Sequence, residues 1–326
     1  MVKRLLSFLI SLTILCSLMA CSSNPSSSSD DVLKIGIAQI VEHPALDSAK
    51  EGFIDELREN GYEDGKNIKL YIQNAQGEPA NLNTIAKQFD SKNLDMVFAI
   101  ATNTAQAMAN TIKDKPILIT AVTDPVDCKL VKSMDNPGGN ITGTSDLTPV
   151  KEQMEIIHNT FPSARKIGML YNAGEANSLI QVDLAKKSAK ELGLEIIEAT
   201  VTNSSEVNQA AQSLVGRVDI IYTPTDNTVA SSINAVAKVA MDNKIPHIGA
   251  EKAHVEGGAL FTKGIDYYDL GRQTGKMAID ILKGSKPGNM SIQMSDKLTI
   301  AVNQKTLRSL GIELPDEIMN DAEILR

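Results

Sequence analysis

From Lys34 onward, short apolar runs alternate with longer stretches whose apolar residues recur every three or four positions. KIGIAQIV (34–41) is the continuous apolar run that a strand buried on both faces needs. PALDSAKEGFIDELRENGY (44–62) then carries its apolar residues at helical spacing. The pattern continues with a strand in NIKLYIQNA (67–75) and a helix in EPANLNTIAKQFDSKNLDM (78–96), where Pro79 suits a first turn. MVFAIAT (96–102), NTAQAMANTIK (103–113) and PILITAVTDP (116–125) read as strand, helix and strand. Strands alternating with helices predict a parallel sheet covered on both faces.

At Lys166 the pattern begins again. KIGMLYN (166–172) echoes KIGIAQI, and a helix in SLIQVDLAKKSAKELG (178–193) and a strand in LEIIEATV (194–201) follow. After SEVNQAAQSLVGRVD (205–219) come a strand in IIYTPTD, one helix through NTVASSINAVAKVAMDNK (227–244) and a strand in IPHIGAEK (245–252). Even the junctions correspond, IATNTAQAMAN (100–110) with TPTDNTVASSIN (223–234). A repeat of this length predicts an α/β fold of two similar lobes, each a parallel sheet flanked by helices.

Three stretches belong to neither repeat, and each is a candidate crossing between lobes. NPGGNITGTSDLTP (136–149) carries a Pro-Gly-Gly turn, ALFTKGID (259–266) precedes an extra helix in YYDLGRQTGKMAIDILKG (267–284), and KLTIAVNQKTLRSLGIELP (297–315) adds a last strand and helix. Lobe 1 is therefore expected over 32–145 with about 266–296 returning to it, and lobe 2 over 149–262 with part of the tail 297–326. Several crossings joining two lobes form a hinge, about which the lobes close with small changes at a few residues.

The first 31 residues do not share the pattern. Lys3 and Arg4 precede the uncharged stretch LLSFLISLTILCSLMA (5–20), a basic start and apolar run that predict a signal peptide over 1–20. CSSNPSSSSDD (21–31) has nothing to bury and predicts a flexible tether. With Leu18 and Ala20 flanking the cut, Cys21 resembles the lipobox cysteine of bacterial lipoproteins, although Met19 is an unusual middle residue. That resemblance implies lipidation at Cys21 and an extracytoplasmic protein, lipid-anchored to the bacterial cell membrane.

Cys16 falls in the discarded signal and Cys21 would carry lipid, so Cys128 alone remains and no internal disulfide is available. Loss of 1–20 removes two bases and no acid, taking the formal charge from −8 to −10. An acidic domain without a basic run is a poor partner for nucleic acid. The roughly 295 residues after the tether are more than one core usually organises, which again predicts two lobes.

Parallel sheets bind ligands beyond the carboxyl ends of their strands. The residues at those ends are Gln39, Val41 and His43, then Ala101, Thr102, Asn103 and Thr104, then Thr123 and Asp124. In the second repeat they are Tyr171, Asn177 and Ser178, then Thr225, Asp226 and Asn227, and Glu251. The helix starts at 102–104, 177–178 and 225–227 offer free amides and hydroxyls to a carboxylate, though each also reads as an ordinary N-cap. Asp124, Asp226 and Glu251 together suit an ammonium group, so the pair of poles suits a zwitterion, an amino acid above all. Tyr171 is either a ring partner for the ligand or a packing residue. The chain lacks Trp and has only six Phe, which weakens a sugar-binding reading.

AIATNTAQA (99–107), AVTDPV (121–126), NPGGNITGTSD (136–146), PTDNTVASS (224–232) and DYYDLGRQTGKMAIDILKG (266–284), in this order, resemble ABC-transporter substrate-binding lipoproteins. The likeness is to the type I periplasmic-binding fold and its tryptophan and aromatic amino-acid branch. It implies Thr102, Asn103, Asp124, Asp226 and Asn227 at the cleft, and a ligand handed to a membrane ABC permease.

Catalytic and cofactor signals are absent from the sequence. GRQTGKMA (271–278) has one residue too few for a phosphate loop and sits in a helical pattern. No HExxH, GxSxG or paired CxxC occurs, so no catalytic residue, metal ligand or cofactor is assigned. His158 and His254 are expected at the surface, and Cys128 is expected to be inert. A secreted hydrolase or transferase using the cleft carboxylates, and a ligand-sensing ectodomain, remain the alternatives to a binding protein that does no chemistry.

Overall fold

The computed structural model describes residues 32–295 and 297–326. The predicted signal peptide, Cys21 and the tether lie outside the described residues.

The first repeat runs β1 (Leu33–Gln39), α1 (Pro44–Glu59), β2 (Ile68–Asn74), α2 (Pro79–Ser91), β3 (Met96–Ile100), α3 (Thr102–Thr111), β4 (Ile117–Val122) and β5 (Ile141–Ser145). The second runs α4 (Val150–Thr160), β6 (Lys166–Asn172), α5 (Ala176–Glu191), β7 (Glu195–Val201), α6 (Val207–Leu214), β8 (Ile220–Thr223), α7 (Asn227–Ala230), α8 (Ile233–Asp242), β9 (His247–Gly249), α9 (Lys252–Glu256) and β10 (Phe261–Ile265). The tail gives α10 (Tyr267–Leu282), β11 (Gln293–Met294), β12 (Leu298–Asn303), α11 (Gln304–Leu310), α12 (Asp316–Met319) and β13 (Ala322–Leu325).

These strands form two sheets, and the shared sequence pattern becomes a shared strand order. The first sheet orders β2-β1-β3-β4-β5-β11 with every pair parallel. The second orders β7-β6-β8-β9-β10-β12-β13, in which β10 and β12 alone run antiparallel. The central strands are buried along their whole length: every residue of β3, β4 and β8 is buried.

The chain passes between the sheets after β5, after β10, and between β11 and β12. The helix entered at the second passage, α10, lies against α1 of the first lobe and puts Leu270, Met277 and Ala278 into that lobe's core. Its glycines explain the approach: a Cβ on Gly271 would stand 2.0 Å from the Ala49 carbonyl oxygen, and one on Gly52 of α1 would stand 2.1 Å from that of Tyr268. The GRQTG stretch is thus a helix-packing surface.

Some elements depart from the sequence pattern. The helix predicted through 227–244 is broken between α7 and α8, where the Ser231 hydroxyl donates to the Thr228 carbonyl at 2.7 Å. Serine competes in this way with the helical ladder. The pattern assigned nothing to α4, whose Val150, Met154 and Ile157 enter the second lobe's core.

Two histidine expectations need correction. His254 is fully buried, with Nδ1 3.2 Å from the Thr223 hydroxyl, and His158 is half-buried. The stretch around His254 looks polar in sequence, but the backbone of α9 turns that face inward under β10 and β12. Cys128 is buried and unpaired, and burial pushes its thiol up to about 11, which disfavours the thiolate.

Candidate functional site

The carboxyl ends of both sheets face one another across a small, narrow cavity. From the first lobe come His43, immediately before α1, Leu46 within α1, Ala121 at the end of β4 and Asp146 after β5. The second lobe supplies Asn177, Thr225, Asp226, Asn227, Ala230 and Glu251, and Tyr267 enters at the head of α10. The lobes touch where His43 Nε2 stands 3.3 Å from Asn227 Oδ1.

The second lobe's side of the cavity is a dense hydrogen-bond network. Asp226 caps α7 by accepting from the Val229 amide at 2.8 Å, and it also accepts from the Asn172 amide and the Ser178 hydroxyl, both at 2.6 Å. Glu175 receives the Asn227 and Thr228 amides at 3.0 and 2.9 Å and the Asn227 side-chain amide at 2.6 Å. Asn177 Nδ2 donates to Glu175 at 3.1 Å and to the Thr225 carbonyl at 3.0 Å. Gln181 Oε1 accepts from the Thr225 amide at 3.2 Å. Burial, and then the negative charge of Glu175, push the Asp226 carboxyl up.

On the hinge side, Asp146 accepts from Thr123 at 3.1 Å and from the Tyr267 hydroxyl at 2.6 Å. Burial is also the main cause that raises Asp146, and it pushes Glu251 up to about 8. Of the side chains lining the cavity, His43 Nδ1, Asn177 Oδ1, Thr225 Oγ1 and Glu251 Oε1 are buried without a hydrogen-bond partner among the described residues. Buried polar atoms are almost always satisfied, so such a convergence marks where an outside molecule's polar groups fit. Leu46, Ala121 and Ala230 supply apolar wall.

Of the sequence candidates, His43, Asn177, Thr225, Asp226, Asn227 and Glu251 line this cavity, and Ser178 stands behind it on Asp226. The others do not line it. Gln39 donates to the Val41 carbonyl and to Asp47, and Val41 is half-buried. Asp124 is engaged by the Val126 and Asp127 amides of its own turn, each at 2.9 Å. Tyr171 donates to Glu198 along the sheet. Thr123 acts through Asp146. Thr102 and Thr104 are fully buried at the head of α3, Asn103 is half-buried, and Ala101 holds φ 79° before them.

Asp146, Tyr267 and Glu175 are the polar residues that strand-end reasoning missed. Asp146 and Tyr267 sit in crossing segments, where no strand-to-helix junction pointed to them. Glu175 precedes Asn177 by two positions and was readable as the helix's own N-cap residue.

The sequence profile of the family described as "ABC transporter substrate binding protein" matches residues 34–325. A tyrosine-binding protein of Clostridioides difficile is 44% identical over 321 residues, covering 95% of this chain and 93% of that protein. The structure of an ABC domain from Streptococcus pneumoniae in complex with L-Trp, 36% identical, superposes with a TM-score of 0.86 over 90% of this chain and 99% of that one. A ligand-free, open substrate-binding protein from Clostridium difficile is 46% identical at the same coverages but superposes at only 0.69. Sequence distance runs the wrong way to explain that difference, and in the present structure the lobes meet at the His43–Asn227 contact. The fold is the two-lobed α/β fold that the repeat predicted, and the chain belongs to the ABC transporter substrate-binding protein family.

Proposed function

We propose that this chain captures a free amino acid, aromatic by preference, between its closing lobes and delivers it to a membrane ABC permease while lipid on Cys21 holds it outside the cell. The observation that carries this reading is the cavity wall: Asp146, Asp226 and Glu251 contribute three carboxyl groups, and no Lys or Arg is among the lining residues. Such a wall suits an ammonium group. The ligand's carboxylate is then left to neutral donors, of which the Thr225 hydroxyl has no partner within the described residues. Leu46, Ala121 and Ala230 leave an apolar side for the side chain. The tyrosine-binding relative and the L-Trp complex support the aromatic preference. The network needs no bond-making step, so binding without turnover is its direct use.

Isothermal titration against the twenty amino acids, with sugars and nucleosides as controls, tests the proposal. Because the chain lacks Trp, emission excited at indole wavelengths also reports bound tryptophan directly. One-to-one binding of tyrosine, phenylalanine or tryptophan is expected, with no product on prolonged incubation. Binding of a sugar or nucleoside and of no amino acid would overturn it.

A further inference from the structure

The closed cavity gathers negative groups from both lobes. Asp146 comes from the first crossing, Asp226 from the start of α7 and Glu251 from the turn before α9, and each is 1% exposed. The hydrogen bonds of the first two are spent within the protein, on Thr123 and Tyr267 for Asp146 and on Asn172, Ser178 and Val229 for Asp226. Glu251 Oε1 differs. It faces His254 Nε2 at 3.3 Å in a geometry too poor for a hydrogen bond, so both atoms are left without one among the described residues.

The elements packed on Glu251 bring it no compensating charge among the described residues. Its own helix carries Lys252, which is drawn off to Glu323 at 2.8 Å and Asp266 at 3.7 Å, and Glu256, whose charge adds to the repulsion. Tyr267 of α10 faces it with a neutral hydroxyl, and Asp146 and Asp226 face it with carboxyl groups. His254 is kept neutral by burial, with His247 and His43 beyond it. Among the described residues, no Lys or Arg lines the cavity.

We propose that repulsion among Asp146, Asp226 and Glu251 holds the ligand-free cleft open, and that closure requires one positive charge in the cavity, brought either by a ligand's ammonium group or by a proton on Glu251. This rests on the amine-binding reading above and adds to it a condition for closure. In the open cleft water solvates Glu251, and its carboxyl returns toward its ordinary value near 4.5; in the closed cavity burial holds it at about 8. The closed form thus binds the proton more tightly. Between those two values, closure without ligand takes up a proton and becomes up to about tenfold more favourable for each unit that pH falls. Above about 8 the proton is lost in both forms, and only a ligand's ammonium closes the lobes. An otherwise similar ligand without an amino group leaves the repulsion in place, so the latch also sets specificity.

Small-angle X-ray scattering of the purified ligand-free protein, from pH 8.5 down to 5, tests this without knowledge of the ligand. The radius of gyration is expected to fall with pH toward that of the amino-acid-saturated protein. Glu251→Gln, which fixes a neutral group at the position, is expected to be more closed than the unaltered protein at pH 8.5 and less sensitive to pH. Lobe separation unchanged across the range, or Glu251→Gln as open as the unaltered protein at pH 8.5, would overturn the proposal. Acid-driven closure with no response to any amino acid would uphold the latch and overturn the amino-acid reading alone.

Discussion

The two lobes share a strand order but meet the cavity in different ways. The second lobe presents a rim already fixed by its own hydrogen bonds, in which Glu175, Asn177, Ser178, Gln181 and Asp226 hold one another and the head of α7. The first lobe presents His43, Leu46 and Ala121, with Asp146 tied to the hinge through Tyr267. Two of its sheet's carboxyl ends also turn through strained alanines, Ala101 at φ 79° and Ala121 at φ 54°. One architectural module has become a socket and the other a wall that shuts against it. A prefixed rim costs less to order on binding, so the second lobe should carry most of the affinity and the first most of the residence time.

The largest test of this asymmetry is Glu175→Ala. Glu175 is 3% exposed and takes two backbone amides of α7 together with the Asn227 side chain. Its removal leaves buried donors unpaired, at about 1–3 kcal/mol each. Ligand affinity measured by titration calorimetry should fall about 30-fold or more, since the two fully buried donors of Asn227 together lose at least about 2 kcal/mol. Leu46→Ala, the matching insult to the first lobe's wall, should weaken binding far less. Equal losses at the two positions would remove the distinction between socket and wall.

The uneven legibility of the site in the sequence has the same physical origin. Apolar runs and helical spacing marked the central strands and long helices, because burial on a sheet or stripe demands those periods. They also placed Thr225, Asp226, Asn227 and Glu251 at strand ends that do meet the cavity. A strand end, however, fixes where a Cα lies and leaves the side chain's direction open. Asp124 occupies such an end and is turned onto the amides of its own loop. Tyr171 closes β6 yet reaches sideways to Glu198. Conversely, Asp146 and Tyr267 depend on two crossing segments meeting, a coincidence between residues 121 positions apart that no local pattern encodes. What was legible is local periodicity, and what was hidden is the convergence of separate turns.

His43 offers a finer test because it is the wall's hydrogen-bonding contact with the socket, at 3.3 Å from Asn227. One such bond contributes about 0.5–1.5 kcal/mol, so His43→Ala should weaken binding by roughly 2- to 12-fold. In the asymmetric picture this loss falls on dissociation: stopped-flow traces should show a faster off-rate and an on-rate changed by less than about twofold. A slower on-rate with an unchanged off-rate would place His43 in the socket's initial capture instead.

The smallest effect concerns the strained backbone of the wall. Ala101, at φ 79° and ψ 155°, lies in a region that glycine enters freely and a Cβ disfavours, and it leads directly into the buried Thr102. Ala101→Gly relieves that strain, about 1–3 kcal/mol, while the greater freedom of glycine in the unfolded chain takes back about 0.4–1 kcal/mol. The difference should raise the melting temperature of the ligand-free protein by a few degrees, and calorimetry can resolve a shift of that size. Ligand affinity should stay within about twofold, because Ala101 does not line the cavity. If stability rises while affinity drops tenfold or more, the strain is part of how the wall seats on the socket, and the first lobe contributes to recognition through its backbone.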